Sequence, residues 1–162
     1  MMIRPARAED APAIAEIWNY NIRQTANTFT TVEKTAEGLA DDIAARQVEG
    51  RAFLVAEDGE QAVGFATYFP FRSGPGYAHT AEHSVMLNEA RKGLGIGRAL
   101  VTALEEHARK SGVHVFIAAV SSENPNAIAF YKAIGYAQVA TMPELGRKFD
   151  RWMDLILLQK RL

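Results

Sequence analysis

Arg91-Lys92-Gly93-Leu94-Gly95-Ile96-Gly97-Arg98 is the stretch on which the reading turns. Three alternate glycines run into an amphipathic segment that carries Ile96, Leu100, Ala103 and Leu104 on one side. The first N–H groups of a helix have no intrahelical partner and carry partial positive charge, so they attract phosphate oxygens. Glycine lets the turn curl with no Cβ in the way of the anion. Arg91, Lys92 and Arg98 add cations around the same point. Two common nucleotide loops do not fit. A Walker-type loop ends in Gly-Lys-Ser/Thr, whereas Gly97 is followed by Arg98-Ala99. The dinucleotide fingerprint is spaced G-x-G-x-x-G and needs an acidic residue about 20 positions on, where this chain has the apolar run 113–120. The plain alternative is a strand-to-helix turn that holds no ligand.

Outward from this turn, short apolar strands alternate with amphipathic helices. Residues 2–4 read as a strand, and a helix follows near Glu9, with Ile14, Ile17 and Trp18 on one face. Asp10 can cap or charge its first turn, where Pro12 is tolerated. Residues 19–31 read as irregular or partly helical. Thr35 can cap a second helix carrying Leu39 and Ile43. The runs 52–57 and 61–69 meet across Asp58-Gly59, a hairpin signal. Residues 70–77 form a Pro/Gly loop, and 79–87 a strand. Gly112 stops the helix after the glycine turn. Residues 113–120 are a β-branched strand, Pro125 opens a last helix, and Gly135 ends it. Residues 136–141 and 152–159 close the chain as strands. Antiparallel strands first and helical crossovers later predict one domain, residues 1–162, with a mixed sheet of α/β (α+β) class.

The 162 residues carry 18 Lys+Arg against 19 Asp+Glu and no cysteine. Disulfides, thiolate metal sites and catalysis by a protein thiol are excluded. The balanced charge argues against a nucleic-acid partner, and no apolar run approaches the ~20 residues that span a bilayer. No secretory core is visible at the N-terminus, and a cytoplasmic location is expected. The histidines lack ligand-like spacing, so no metal is expected.

Glu82-His83-Ser84-Val85 on a strand, the 91–98 turn, and the segment from Asn124 to Tyr136 together resemble the GNAT superfamily of acetyl-CoA-dependent N-acetyltransferases. The resemblance covers nearly the whole chain. Within the superfamily the chain resembles the phosphinothricin and methionine sulfoximine N-acetyltransferases, through Glu82-His83-Ser84-Val85 and through Gly146-Arg147-Lys148-Phe149 with Trp152 and Asp154. One position departs from the pattern. Ala90 stands where the superfamily usually has Gln or Arg, three residues before the first glycine of the Gly93/Gly95 pair. The resemblance implies a mixed, mostly antiparallel sheet with a splayed central strand pair and helices on both faces. It also implies that the acetyl-CoA diphosphate sits on amides of Gly93, Leu94, Gly95, Ile96, Gly97 and Arg98, with Lys92 as a further cofactor contact. The pantetheine arm would lie beside Val85, Met86 and Leu87 as a pseudo-strand. Asn124 matches a cofactor-contacting asparagine, and is equally placed to cap the helix before Pro125.

Moving an acetyl group from a thioester to an amine needs a base, an oxyanion donor and a proton for the leaving thiolate. Glu82 is the candidate base, since a carboxylate near a buried sheet surface has a raised pKa. His83 is the rival base, but a strand neighbour of Glu82 points to the opposite face, so it reads as a hydrogen-bonded structural residue or a pocket wall. Tyr131 matches a family tyrosine that can donate a hydrogen bond or a proton to the leaving thiolate. The alternative for Tyr131 is a core aromatic. The oxyanion donor would be a backbone amide near Met86 and Leu87.

In the resembled subfamily an arginine at the position of Arg72 grips the acceptor carboxylate, which a guanidinium can do through two hydrogen bonds. A solvated loop arginine is the other reading. Phe29 and Tyr77 are candidate apolar walls, and His83 and Ser84 border the same site. The resemblance implies a small amino acid analogue as acceptor and a homodimer. Two rivals stand beside this. The same fold can acetylate a protein N-terminus, a polyamine or an aminoglycoside. A non-catalytic acyl-CoA-binding module would keep residues 93–98 but would need neither Glu82 nor Tyr131.

Overall fold

A computed structural model describes Met1–Leu162. The strands are β1 (Met2–Pro5), β2 (Phe53–Asp58), β3 (Gln61–Pro70), β4 (Thr80–Leu87), β5 (Val115–Ser121), β6 (Ala137–Lys148) and β7 (Arg151–Arg161). The helices are α1 (Ala11–Gln24), α2 (Ala36–Val48), α3 (Ile96–Lys110) and α4 (Pro125–Ala133). The strands form one seven-stranded sheet in the order β1-β2-β3-β4-β5-β7-β6. Every pairing is antiparallel except β4 with β5.

Period-two alternation on β2 and β3 assigns the two faces. Phe53, Val55 and Phe65 pack under α1 and α2 with Ile14, Leu39 and Ile43. Leu54, Ala56, Ala66 and Tyr68 face α3 through Leu100 and Leu104. A third cluster joins α4 to the far half of the sheet through Tyr131, Ala118 and Ile156. Helices therefore cover both faces.

The parallel pair is the feature that makes a site. β4 and β5 are in register only from Thr80↔Val115 to His83↔Ala118. Beyond that point each strand continues, β4 beside β3 and β5 beside β7. The sheet opens between them, as the splayed pair requires.

Local signals hold where chemistry is local. Thr35 Oγ1 accepts from the Gly38 N–H at 3.0 Å, capping α2. Gly112 and Gly135 take positive φ past the ends of α3 and α4. Asp10 precedes α1 but does not cap it with its side chain. Its carboxylate instead accepts from the Arg7 N–H at 2.7 Å and pairs with Arg4, which holds its pKa below the usual carboxylate range.

One boundary resolves the partly helical reading of residues 19–31, and one departs from the sequence reading. α1 runs on to Gln24, because buried Ile22 extends its apolar face and Asn21 Nδ2 bonds back to the Ile17 carbonyl at 3.0 Å. β6 continues through Pro143 to Lys148 rather than ending near residue 141. It is the edge strand, where proline is tolerated, and its register with β7 breaks between Met142 and Gly146.

Candidate active site

A cleft of about 720 Å³ occupies the opening between β4 and β5. One end is the turn into α3. Gly93 and Gly95 both adopt φ 79°, a left-handed conformation that glycine reaches without strain. Asn88 starts the approach by accepting from the Ala90 N–H at 3.0 Å. The helical ladder begins with the Ala99 N–H donating to Gly95 at 3.1 Å. The N–H groups of Gly93, Leu94, Gly95, Ile96, Gly97 and Arg98 donate to no backbone carbonyl. A run of free amides at the start of a 15-residue helix fits a diphosphate.

The side chains around this turn divide. Lys92 and Arg98 border the cleft, Lys92 paired with Glu89 at 2.6 Å and Arg98 with no carboxylate partner. Arg91 is turned away and pairs with Asp58 at 2.7 Å. Leu94 is exposed and Ile96 is buried in the core, so each offers the cleft its amide alone. Beyond His83 the β5-facing edge of Ser84, Val85, Met86 and Leu87 is unpaired, which fits an extended pantetheine arm.

Glu82 borders the opening, half-buried, and burial raises its pKa above the ordinary carboxylate value. No cation pairs with it to reverse that shift. His83 also borders the cleft, but only 4% of it is exposed. Its ring stacks on Phe116 at 4.4 Å. Burial pushes its pKa down to about 3 against a weaker opposing pull from the Ile117 backbone. Neither ring nitrogen has a well-formed hydrogen bond. This corrects the hydrogen-bonded role expected of it: His83 is a buried, neutral wall.

Tyr131, 7% exposed, comes from α4. Its ring contacts Phe130 and Tyr136 at 5.1 and 5.0 Å. Burial first, and the Glu105 carboxylate second, raise its pKa, so the phenol stays protonated. Glu105 is itself held by Tyr136 at 3.0 Å and Lys160 at 2.8 Å. Asn124 caps α4, its Oδ1 accepting from the Ala127 N–H at 3.2 Å, and it also borders the cleft.

The other end is built by the segment after α1. Phe29 lines it, with Asn21, Asn27 and Thr28, which sequence reasoning missed. The signal available was a buried asparagine inside an apolar helix face. Arg72 and Tyr77 do not line the cleft. They lie on the exposed loop after β3, Arg72 over the Phe71 ring at 5.9 Å. No group of three or more His, Cys, Asp or Glu is arranged to hold a metal ion.

A family model for the acetyltransferase (GNAT) domain matches residues 3–157. The chain belongs to the GNAT acetyltransferase family. It is an N-acetyltransferase whose acyl donor is acetyl-CoA. The L-methionine sulfoximine/L-methionine sulfone acetyltransferase of Salmonella typhimurium is 36% identical over 162 residues, covering 100% of this chain and 95% of that one. A Salmonella typhimurium acetyltransferase solved with acetyl-CoA superposes with a TM-score of 0.96 at 36% identity, covering 100% of this chain and 94% of that one. A ribosomal-protein-alanine N-acetyltransferase from Brucella melitensis gives TM-score 0.96 and 36% identity over 100% of both chains.

Proposed function

We propose that this GNAT enzyme acetylates the α-amino group of a small amino acid analogue of the methionine sulfoximine or phosphinothricin type. The observation that carries this reading is the Glu82 carboxyl, raised in pKa by burial and sharing one cleft with the free amides of the α3 turn. The name of the Salmonella relative supports the substrate class. The resembled subfamily uses an arginine at the position of Arg72 for the acceptor carboxylate; here Arg72 lies two residues past the end of β3, outside the cleft lining, and adds no geometric support.

Acetyl-CoA, when bound, supplies an electrophilic thioester carbonyl. The amides from Gly93 to Arg98, with Lys92, hold its diphosphate, and the free edge from Val85 to Leu87 aligns its arm. Glu82 removes a proton from the amine, directly or through water, so that a lone pair can attack. A backbone amide near Met86 and Leu87 donates to the developing oxyanion. The Tyr131 hydroxyl donates a hydrogen bond to the departing thiolate, which takes its proton from solvent, while Asn124 contacts the arm from the α4 cap. Attack is direct, since the chain has no cysteine to carry the acetyl group. His83, Ser84 and Phe29 shape the acceptor side.

The reading includes a cytoplasmic homodimer. The β6–β7 hairpin supports the dimer, because Leu145 on the edge strand, Phe149 in the turn and Trp152 on β7 are all exposed there. Light scattering on the purified chain should return twice the 17.8 kDa chain mass.

The test of substrate class is thiol release from acetyl-CoA with a panel of L-methionine sulfoximine, phosphinothricin, polyamines and an alanine-ending peptide. Turnover should concentrate on the carboxylate-bearing amino acids. The Brucella structure's name favours a second reading, a protein N-terminus, and turnover on the peptide alone would select it.

A further inference from the structure

The Phe29 end of the cleft lies on residues 25–35, which form no helix or strand, yet a specific acceptor needs a fixed wall. Two residues from the opposite end of the chain supply the fixing. Lys148, 3% exposed, sends its Nζ to the carbonyls of Thr25 at 2.7 Å and Thr28 at 2.8 Å, with the Asn21 carbonyl at 3.5 Å. An ammonium has three donors and no acceptor, and here it meets carbonyls instead of a carboxylate. Gly146 stands two positions earlier on β6, on the same face. A Cβ built there would clash with three atoms of the Phe29 ring, so only glycine permits this close approach. Between the two anchors, the Asn27 N–H donates to Thr25 Oγ1 at 3.1 Å and Asn27 Nδ2 to Asn21 Oδ1 at 3.2 Å.

We propose that Lys148 and Gly146 are positioning residues for the acceptor wall. Lys148 pins the backbone at Thr25 and Thr28, Gly146 seats Phe29, and together they set which amines the cleft accepts. The proposal rests on the reading that this end of the cleft receives the amine. It assigns a role within one chain to the residues 146–149 that the sequence singled out, with no neighbouring subunit required.

A kinetic double-mutant cycle tests the seat, with L-methionine sulfoximine as the amine. Gly146→Ala should raise the amine KM about tenfold and leave the acetyl-CoA KM within about twofold. In a Phe29→Ala background the same change should be silent, because the ring it displaces is gone. The same factor in both backgrounds, or an equal rise in both KM values, would overturn the seat. Hydrogen exchange tests the pin without activity. Lys148→Met should speed exchange of the 25–29 amides by about tenfold while α3 amides keep their protection, and Lys148→Arg should restore part of it. Unchanged exchange at 25–29 would overturn the pin. Failure of the wild-type enzyme on every amino acid tested would strike the proposed substrate class instead, and the exchange result would then judge the pin alone.

Discussion

The His83 ring stands edge-on to Tyr131, with centroids 5.4 Å apart and planes at 72°. With Phe116 stacked on the same imidazole, a neutral ring from β4 braces the phenol that α4 brings to the cleft. Glu82, the next residue along the strand, is left as the titrating group. Neighbours in sequence thus differ, one packed among aromatic rings and one the proposed base.

Glu82→Gln should lower kcat by at least about a hundredfold and leave coenzyme A affinity unchanged. In the wild type, kcat/KM should fall with decreasing pH through a value above the ordinary carboxylate range, because activity needs the ionised form. The variant should lack that limb. The stability effect has the opposite direction. A carboxyl whose folded pKa is raised favours the folded state most at low pH, and loses that contribution as pH rises through the folded value. Glu82→Gln should therefore raise the melting temperature more at pH 8 than at pH 4, in thermal scans of both proteins.

His83 predicts an acid-dependent loss of stability. Its folded pKa of about 3 lies below the ordinary 6.5, so its contribution is complete above pH 6.5 and declines as pH falls toward 3. Between pH 7.5 and 4.5 it should account for about 3 kcal/mol of lost stability. Urea unfolding at the two pH values measures this, and His83→Phe should narrow the difference between them.

Tyr131→Phe should reduce kcat about tenfold to a hundredfold with little change in the amine KM. Because burial and Glu105 raise the phenol pKa, the wild-type rate should show no alkaline limb from Tyr131 below pH 10. An unchanged kcat in the variant would leave Tyr131 a packing residue.

What the sequence disclosed, and what it withheld, follows the range of the interactions involved. The Asp58-Gly59 hairpin, the Thr35 cap, the helix stops at Gly112 and Gly135 and the turn at Gly93 and Gly95 are local, and each was readable. Asn27 and Thr28 beside the expected Phe29 were not, because Lys148 holds their segment from 120 residues away. The β6–β7 hairpin hid for a different reason. Its turn residues, Phe149 and Asp150, take φ of 53° and 56° without the glycine or asparagine that usually marks such a turn. Arg72 and Tyr77 illustrate the reverse: their residue types suit a pocket, but their loop lies outside the cleft.

The central claim is that the free amides of the α3 turn hold the acyl donor beside Glu82. Calorimetric titration with coenzyme A tests it most directly, comparing the wild type with Gly95→Val, whose branched side chain is strained at φ 79°. The wild type should bind one equivalent in the micromolar range, and a Gly95→Val protein with an unchanged circular dichroism spectrum should bind at least about tenfold more weakly. No heat from the wild type, or equal affinity in the two proteins, would contradict the account.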